Sequence, residues 1–401
     1  MRVAVLGAGL QGTGVALELA NRGVNVDLYD RADDAMTGAS VNGEGKLHLG
    51  YLYANDPSLR TAQRMVEGAL AFEPTLRRWL GDGVDKLPIS SPFLYLVHRE
   101  SLVRPDRAAD HYAQVTAHIR DVSGPAPRYF GRDVRRRPQR VSDLASVGVS
   151  DTHIEAAFET EEIAIESAAL AAALRACIAA TPLIARRYRH EVVAVTRESR
   201  GLSVSARADG VLGAERYDHV VNALWEGRLA IDEQLGLLPK RKWLHRYKEA
   251  LRFTGVACAT PSVTITLGPF GDIVNFQNGN LYLAWYPAGL RHMSGGVAPP
   301  RAETFLRARN ADEVRVQTHA ALAAVSPRTE ALAGAELARA SLHGGWIFAW
   351  GETDVDDPSS GLHTRFEVGP LTTDGYHTVN TGRFTLAPLF ARRLAATILG
   401  D

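Results

Sequence analysis

Residues 2–30 read RVAVLGAGLQGTGVALELANRGVNVDLYD, and the order of these residues decides the fold. Residues 2–6 form a short apolar run of strand length, and apolar side chains recur at helical spacing in residues 15–20. Gly23 is placed to end that helix in a left-handed turn, and residues 24–28 alternate as a second strand. The segment therefore predicts strand, glycine turn, helix and strand, which is how a Rossmann-like α/β domain begins.

Three glycines occupy the turn between the first strand and the helix, in the spacing G-x-G-x-x-G. Gly7 permits the tight turn, Gly9 lets the backbone approach a pyrophosphate, and Gly12 lets the helix pack against the strand. The N–H groups that begin the helix, together with the helix dipole, favour a phosphate at this point. The turn therefore predicts a dinucleotide-binding site.

The second strand ends in an acid, Asp30, which follows Gly7 by 23 residues. A carboxylate in this position can accept hydrogen bonds from the two hydroxyls of a ribose. It disfavours the 2′-phosphate of NADP, but the motif does not separate FAD from NAD.

Composition narrows the class of protein. The 401 residues include 45 basic and 45 acidic side chains, so the formal net charge is zero, and 46% are hydrophobic. A neutral balance argues against a nucleic-acid partner, and the length predicts two or three domains with large cores. No apolar run approaches the ~20 residues of a membrane span, and the N-terminus has no signal-peptide pattern. Because Cys177 and Cys258 cannot form a disulfide framework, we expect a cytoplasmic protein.

Three further stretches carry a pattern. Residues 38–53, GASVNGEGKLHLGYLY, are a segment rich in small residues where a simple NAD domain would continue with a helix and a third strand. Residues 191–208 predict a hairpin, and residues 217–223, YDHVVNA, predict a buried strand. Residues 374–388, DGYHTVNTGRFTLAP, predict a strand that ends in glycine and leads into a helix with proline in its first turn.

Together with the glycine turn, these stretches resemble FAD-dependent oxidoreductases of the D-amino-acid oxidase, glycine oxidase and sarcosine oxidase type. The resemblance covers about half of the chain, and it implies FAD as the cofactor. It implies that residues 38–53 pass the phosphates and ribityl chain and then run beside the isoalloxazine. It also implies that residues 374–388 place backbone N–H groups at the flavin pyrimidine edge, with a helix dipole behind them. At 224–225, Leu-Trp replaces the usual small residue and glycine of the family.

The FAD-contacting residues that the motif and the resemblance imply are Gly7, Gly9, Leu10, Gln11, Gly12, Asp30, Arg31, Ala39, Ser40, Lys46, Leu47, Val193, Asn222, Ala223, Gly382, Arg383, Phe384 and Thr385.

The expected fold class is α/β, with a Rossmann-like FAD-binding domain of the glutathione-reductase type and an α+β substrate domain built on an antiparallel sheet. The expected FAD-binding domain is discontinuous, and residues 86–150 and 236–338 are expected to form the substrate domain. Its FAD-binding segments are 1–85, 151–235 and 339–401. The periodicity predicts helices at 60–85, 163–180 and 303–325, and antiparallel strands at 262–267, 272–276 and 281–286 that would cover the flavin.

Four side chains are candidates for the chemistry. His48, in the loop expected at the flavin face, could bind substrate, act as a base or carry a covalent flavin link, or could simply be packed in an interface. Tyr286, at the end of a predicted strand, could contact substrate or be an ordinary aromatic core residue. Lys46 could activate oxygen, as a lysine does in sarcosine oxidases. Arg383 could hold an anionic group of the substrate.

Other charged patterns receive simpler interpretations. Arg365 is a second possible anion clamp, although we expect it to pair with Glu352 or Asp354. The six arginines of residues 128–140 are expected to form a solvated face. The acids at 354–357 lack the glycine and final glutamate of a calcium loop, and no zinc spacing is present, so no metal site is predicted.

The predicted activity is hydride transfer to flavin N5 from a C–H bond next to an amine. A hydroxy acid or alcohol is the alternative donor. A flavin monooxygenase or halogenase is less favoured, because the Gly-Asp-Ala-type segment and the Trp-x-Trp-x-Ile-Pro run of those enzymes are absent from the sequence. A protein that holds FAD without catalysis is the remaining alternative. The small-molecule substrate, the electron acceptor (oxygen or another), the flavin linkage and the oligomeric state stay open.

Overall fold

The computed structural model describes residues 1–306 and 310–401. Its first sheet, here called the nucleotide sheet, has six strands and begins with the predicted strands Arg2–Leu6 and Asn25–Tyr29, which pair in parallel. Across the sheet the order is Gly369–Thr373, Tyr376–Asn380, His219–Asn222, Arg2–Leu6, Asn25–Tyr29 and Ile184–Arg187. Every pairing is parallel except the edge pair Gly369–Thr373 with Tyr376–Asn380.

Helices cover one face of the nucleotide sheet. Leu10–Ala20 follows the glycine turn and packs against Ala387–Leu399, which packs in turn against Arg60–Leu80. Arg60–Leu80 presents Met65, Phe72 and Leu76 to the core without any exposed surface. The predicted helix 60–85 is shorter than expected, because Gly81 adopts a positive φ of 56° and a 3₁₀ turn, Gly81–Lys86, follows.

The other face carries a three-stranded antiparallel sheet, His190–Arg197, Leu202–Ala208 and Val211–Tyr217. Its first two strands form the predicted hairpin. The apolar side chains of this layer pack against Ala4 and Leu6 of the central strand. A helix Arg228–Gln234 also lies beside this hairpin sheet.

The second large sheet, here called the cover sheet, has nine strands. Its order is Leu290–Ser294, Trp243–Phe253, Leu281–Trp285, Gly271–Asn275, Ser262–Thr266, Phe93–His98, Ile154–Glu159 and Gln139–Arg140, with Ser341–Trp350 also paired to Trp243–Phe253. The expected antiparallel strands at 262–286 are present. The sheet is not wholly antiparallel, because Ser262–Thr266 pairs in parallel with Phe93–His98.

Two strands differ from the expected domain limits. Ile154–Glu159 and Ser341–Trp350 fall within segments expected to bind FAD, yet both pair in the cover sheet. The predicted helix 163–180 begins only at Ser167. Ile163–Ala164 instead pairs with Lys46–Leu47 as a two-stranded ladder. An alanine-rich run looks helical in the sequence, and only this long-range pairing reveals its extended start.

The remaining helical segments surround the two sheets. Glu303–Leu306 and Ala311–Val325 lie within the predicted helix 303–325, of which residues 307–309 lie outside the described residues. The others are Ala39–Asn42, Tyr51–Tyr53, Pro105–Val122, Ala145–Val147, Ser167–Ala179, Trp225–Gly227, Tyr286–Gly289, Pro327–Leu332, Ala335–Arg339 and Phe384–Leu386. Within the described ranges, no helix is both long and apolar enough to cross a bilayer. The predicted α/β fold class is confirmed.

Candidate active site

The glycine turn begins the site. Gly7 has a φ of +93°, and a Cβ there would lie 2.7 Å from the carbonyl oxygen of Ala223. A Cβ on Gly12 would lie 1.8 Å from the carbonyl oxygen of Gly7, so packing alone requires glycine at both positions. A Cβ on Gly9 would meet only Ser40 Oγ, at 3.1 Å. Gly9 is therefore the glycine at which the backbone opens toward a ligand.

A cavity of about 470 Å³ lies at the carboxyl ends of four parallel strands of the nucleotide sheet. Residues that directly follow those strands line it, as expected where a doubly wound sheet binds its ligand. The predicted residues on its wall are Gly7, Gly9, Leu10, Gln11, Asp30, Arg31, Ala39, Ser40, Lys46, His48, Val193, Ala223, Gly382, Arg383 and Phe384. The structure therefore brings together residues from five separate parts of the sequence.

Four of the predicted FAD contacts lie behind this wall. Gly12 packs on Gly7, and Leu47 is buried in its ladder with Ile163. The side-chain nitrogen of Asn222 donates to Tyr376 Oη at 2.7 Å. Thr385 accepts a hydrogen bond from the His48 N–H at 3.0 Å and donates to the Lys46 carbonyl at 3.1 Å. These side chains hold the wall in place.

At one end of the cavity, Asp30 lies where a ribose hydroxyl is expected. Its two oxygens accept from the backbone N–H groups of Ala8, at 2.7 Å, and Ala32, at 2.9 Å. A carboxylate has about four acceptor positions, so it retains capacity for a diol. Arg31 is held by Glu226 at 2.9 Å. The carbonyl of Val193 accepts from Gln234 Nε2 at 3.0 Å.

The residues present fit a dinucleotide. The Leu10 N–H, which begins the helix, donates to Ser40 Oγ at 2.9 Å on the cavity wall. Gln11 Oε1 accepts from Thr381, while Gln11 Nε2 is buried and has no partner among the described residues. A buried amide donor of this kind calls for an acceptor from a ligand. Phosphate or flavin oxygens supply such acceptors.

The other end of the cavity carries two arginines on its wall, Arg365 and Arg383. Arg365 donates to the carbonyls of Leu362, at 3.2 Å, and Gly382, at 3.5 Å. Burial, with Arg383 close by, lowers the pKa of Arg365 to about 9. Arg383 lies over the ring of Tyr53, 5.9 Å from its centroid. Neither arginine has a carboxylate partner among the described residues.

The expected pairing of Arg365 with Glu352 or Asp354 is wrong. Asp354 is held by Arg246 at 2.9 Å, and Glu352 lies 3.4 Å from Lys242. Arg365 instead donates hydrogen bonds to the two backbone carbonyls, and its guanidinium is on the cavity wall without a negative partner among the described residues.

His48 is buried beside the arginines and lines the same cavity. Burial lowers the pKa of His48 below its ordinary value, although the neighbouring Glu162 opposes that shift. His48 is therefore a neutral imidazole at pH 7. Its ring packs edge-on against Tyr53, with centroids 6.0 Å apart.

The side chains of Lys46 and Tyr286 bind acidic residues of the protein itself. Lys46 lines the cavity, but its Nζ lies 2.5 Å from Asp272 and also donates to Thr264, both in the cover sheet. Tyr286 is not on the cavity wall, because its hydroxyl donates to Asp354. Lys248 Nζ lies over the ring of Tyr286, 4.7 Å from its centroid.

Several residues of the site were not anticipated. Glu162, Tyr53 and Asp272 contact the predicted side chains, yet no motif marks them in the sequence. The aromatic run at 51–53 directly after His48 is the only signal that could have drawn attention to Tyr53. Within residues 1–306 and 310–401, no three metal-binding side chains form a group able to hold an ion.

The sequence matches the family model DAO, FAD dependent oxidoreductase, over residues 2–396. The chain belongs to this family. The DAO-family protein is therefore an FAD-dependent oxidoreductase, as the resemblance of its motifs implied. No curated protein matches the chain by sequence.

Solved structures share the fold of this DAO-family protein. Glycine oxidase from Geobacillus kaustophilus is 16% identical with a TM-score of 0.69, and the match covers 100% of this chain and 95% of that one. Iminodiacetate oxidase from Chelativorans sp. BNC1 is 15% identical, with a TM-score of 0.66 and coverage of 100% and 96%. L-alpha-glycerophosphate oxidase from Mycoplasma pneumoniae, with FAD bound, is 13% identical, with a TM-score of 0.66 and coverage of 99% and 94%.

Proposed function

We propose that this DAO-family protein oxidises a small amine that also carries a carboxylate, such as an amino acid or a related amine. The observation that carries the proposal is the cavity wall, where two arginines that have no carboxylate partner among the described residues lie beside a neutral histidine. When bound, FAD supplies the hydride acceptor for a C–H bond next to the amine.

The arginines are assigned to an anionic group. Buried charges in proteins are normally paired, yet Arg365 is buried and Arg383 half-buried on the cavity wall, and neither forms an ion pair with an acid among the described residues. Glu44 on the same wall acts on Arg383 from a distance and contributes to raising its pKa. A guanidinium binds a carboxylate through two parallel hydrogen bonds. The substrate carboxylate would therefore orient the molecule in the cavity and complete the charge balance of this wall.

His48 is assigned to a proton. An amine is protonated in water and must lose that proton before its neighbouring C–H bond can give up a hydride. A neutral imidazole on the cavity wall can accept it, and burial keeps His48 neutral at pH 7. Oxidation of a hydroxy acid would use the same base, so an alcohol donor is the second candidate.

The proposal also assigns a role to each part of the chain. We infer that segments 1–85, 151–235 and 339–401, without the two cover-sheet strands, hold FAD through the cavity-lining residues given above. Residues 86–150 and 236–338 then cover the substrate. The free thiols of Cys177 and Cys258 are consistent with a reducing, cytoplasmic setting, and oxygen or another acceptor would reoxidise the flavin.

A donor screen under anaerobic conditions tests the proposal. The FAD-loaded protein is mixed with amino acids, N-methylated amino acids, hydroxy acids and simple amines, and the flavin absorbance near about 450 nm is followed. We expect bleaching by a carboxylate-bearing amine and not by the matching amine that lacks the carboxylate. Bleaching by hydroxy acids alone would replace the amine by the second candidate. Reduction only by NAD(P)H would contradict both.

A further inference from the structure

Glu162 is a carboxylate without any exposed surface, and it lies directly behind His48. Its Oε2 accepts the backbone N–H of Leu49 at 2.6 Å, and its Oε1 accepts the hydroxyl of Tyr95. The same Oε1 lies 3.4 Å from His48 Nδ1. Glu162 is thus held by two fixed donors and faces one side of the imidazole.

The backbones on both sides of this contact are fastened together. Lys46–Leu47 pairs antiparallel with Ile163–Ala164, so His48 and Glu162 lie opposite each other at the same end of one short ladder. The His48 N–H is bound by Thr385, and burial leaves the imidazole only 3% exposed. The relative position of the two side chains is therefore set by backbone hydrogen bonds.

Charge makes His48 the natural partner of Glu162. Within residues 1–306 and 310–401, no lysine or arginine nitrogen lies within 4.0 Å of the Glu162 carboxylate, and Tyr95 and the Leu49 peptide are neutral donors. A buried carboxylate with neutral partners alone is poorly compensated. Among the described residues, the imidazole of His48 is the group in contact with Glu162 that can take up a positive charge.

The contact also selects a tautomer. Nδ1 lies 3.4 Å from this carboxylate but outside hydrogen-bond geometry, and it has no other partner among the described residues. An ionised carboxylate can only accept hydrogen bonds, so its charge favours a proton on the nitrogen that faces it. In neutral His48 the proton then lies on Nδ1, and Nε2 keeps its lone pair. No described residue bonds Nε2, and His48 lines the cavity, so the lone pair is available to a ligand there.

We propose that Glu162 is a positioning residue for His48, which holds the Nδ1–H tautomer and stabilises the imidazolium formed when Nε2 takes a proton from the substrate. The inference rests on the proposed function, because it assumes that His48 meets the substrate. The proton passes from the substrate ammonium, or from a hydroxyl, to Nε2, and no other bond changes in this step. The charges of Arg383 and Lys46 oppose protonation of His48, and Glu162 favours it.

Nitrogen NMR of the FAD-loaded protein tests the proposal without any substrate. The histidines are labelled with ¹⁵N, and long-range proton–nitrogen spectra distinguish the two tautomers of each ring. Comparison with the His48→Gln variant assigns His48. We expect a single Nδ1–H tautomer in the wild-type protein. Observation of the proton on Nε2 in the wild-type protein would overturn the proposal without recourse to any Glu162 variant.

Variants then test the role of the carboxylate. In Glu162→Gln we expect a mixture of tautomers, because an amide both donates and accepts, and a midpoint of His48 titration moved by about one pH unit toward acid. Glu162→Asp should restore part of both signals. Glu161→Gln is the matched control, since Glu161 lies next along the chain and is held by Arg132 at 2.6 Å instead. An unchanged tautomer and midpoint in a folded Glu162→Gln protein would contradict the proposal.

The two proposals fail separately. The NMR result does not depend on flavin reduction, so a correct tautomer without any bleaching donor would leave the Glu162–His48 pair intact and reject the proposed function. Once a donor is known, the rate of flavin reduction can be measured as a function of pH. The step in this profile that reports protonation of His48 should lie at lower pH in Glu162→Gln than in the wild type. A purely structural role for Glu162 would lower the amount of folded protein without moving that pH profile.

Discussion

At the residue scale, two neighbouring arginines on one wall invite a direct test of what the cavity binds. Arg365→Gln removes the charge while Leu362 and Gly382 keep their backbone positions. We expect the KM for a carboxylate-bearing amine to rise about 30- to 150-fold, in line with about 2–3 kcal/mol for a charge-assisted contact, with a smaller change in kcat. Steady-state kinetics measures both. Arg392→Gln, on an exposed face of the last helix, is the control and should change neither.

A second residue-scale prediction concerns the glycine turn. Gly12→Ala would force a Cβ to within 1.8 Å of the Gly7 carbonyl, so the helix must move away from the strand. We expect the free energy of unfolding to fall by about 1–3 kcal/mol and the FAD content to drop sharply. Urea unfolding and the flavin absorbance of the purified protein report the two effects. Gly124→Ala, where no atom lies within 4 Å of the new Cβ and which is not on the cavity wall, is the control. Equal FAD content in both variants would argue against the assigned role of the turn.

At the scale of elements, the loop after Asp30 is fastened to the cover sheet by Lys46. Its ammonium pairs with Asp272 and Thr264, on two neighbouring strands. Lys46→Met would leave Asp272 without its partner. We expect a loss of about 2–3 kcal/mol in the free energy of unfolding, below the usual cost of about 3–5 kcal/mol, because Asp272 retains 23% of its side-chain exposure. Lys242→Met removes an exposed pair with Glu352 and should cost less than about 1 kcal/mol.

The same ion pair predicts a pH dependence. Burial alone would raise the pKa of Asp272, but Lys46, together with Lys248 and Thr264, outweighs burial, and the pKa is lowered. A carboxyl with a lowered folded-state pKa contributes stability above its unfolded pKa, and that contribution is lost as the pH falls below that value. Urea unfolding between pH 7 and pH 3 should therefore show a steeper loss in the wild type than in Asp272→Asn. Parallel curves would contradict this assignment.

Some elements of the fold can be predicted from the sequence, and others cannot. The strand, glycine turn and helix at residues 2–20 follow from local periodicity, and the hairpin at 191–208 does so as well. Ile163–Ala164 could not be predicted, because its strand exists only through pairing with Lys46–Leu47. The predicted pairing of Arg365 is wrong for the same reason. Glu352 and Asp354 are close to Arg365 in the sequence, but backbone carbonyls bind this arginine in the structure.

The cluster around His48 shows the same limit. His48 stands out in the sequence because its loop follows a recognised motif. Glu162, far away along the chain, becomes its neighbour only when the ladder forms. Lys46 of the two-stranded ladder and Asp272 of the cover sheet meet in a similar way. Motifs thus locate one partner of each pair, and the fold supplies the other.

At the scale of the whole molecule, the cavity lies between the nucleotide sheet and strands of the cover sheet, which contribute Trp346 and Ile347 to its wall. A ligand that binds only the folded protein stabilises it by mass action. We expect FAD at about 100 times its Kd to add about 2.7 kcal/mol to the free energy of unfolding. Differential scanning fluorimetry of the protein with and without FAD measures the resulting rise in Tm. NAD at the same concentration should give a much smaller rise, and a larger one would question the identity of the cofactor.

The central claim is that this chain uses FAD to oxidise an amine whose carboxylate is held by the two arginines. The most direct measurement is the anaerobic absorbance spectrum of the FAD-loaded protein mixed with the best amine from the donor screen and, separately, with the hydroxy acid of the same carbon skeleton. The account predicts complete loss of the band near about 450 nm with the amine and an unchanged spectrum with the hydroxy acid. A protein that shows no flavin band after FAD is added, or a band that no amine bleaches, would contradict it.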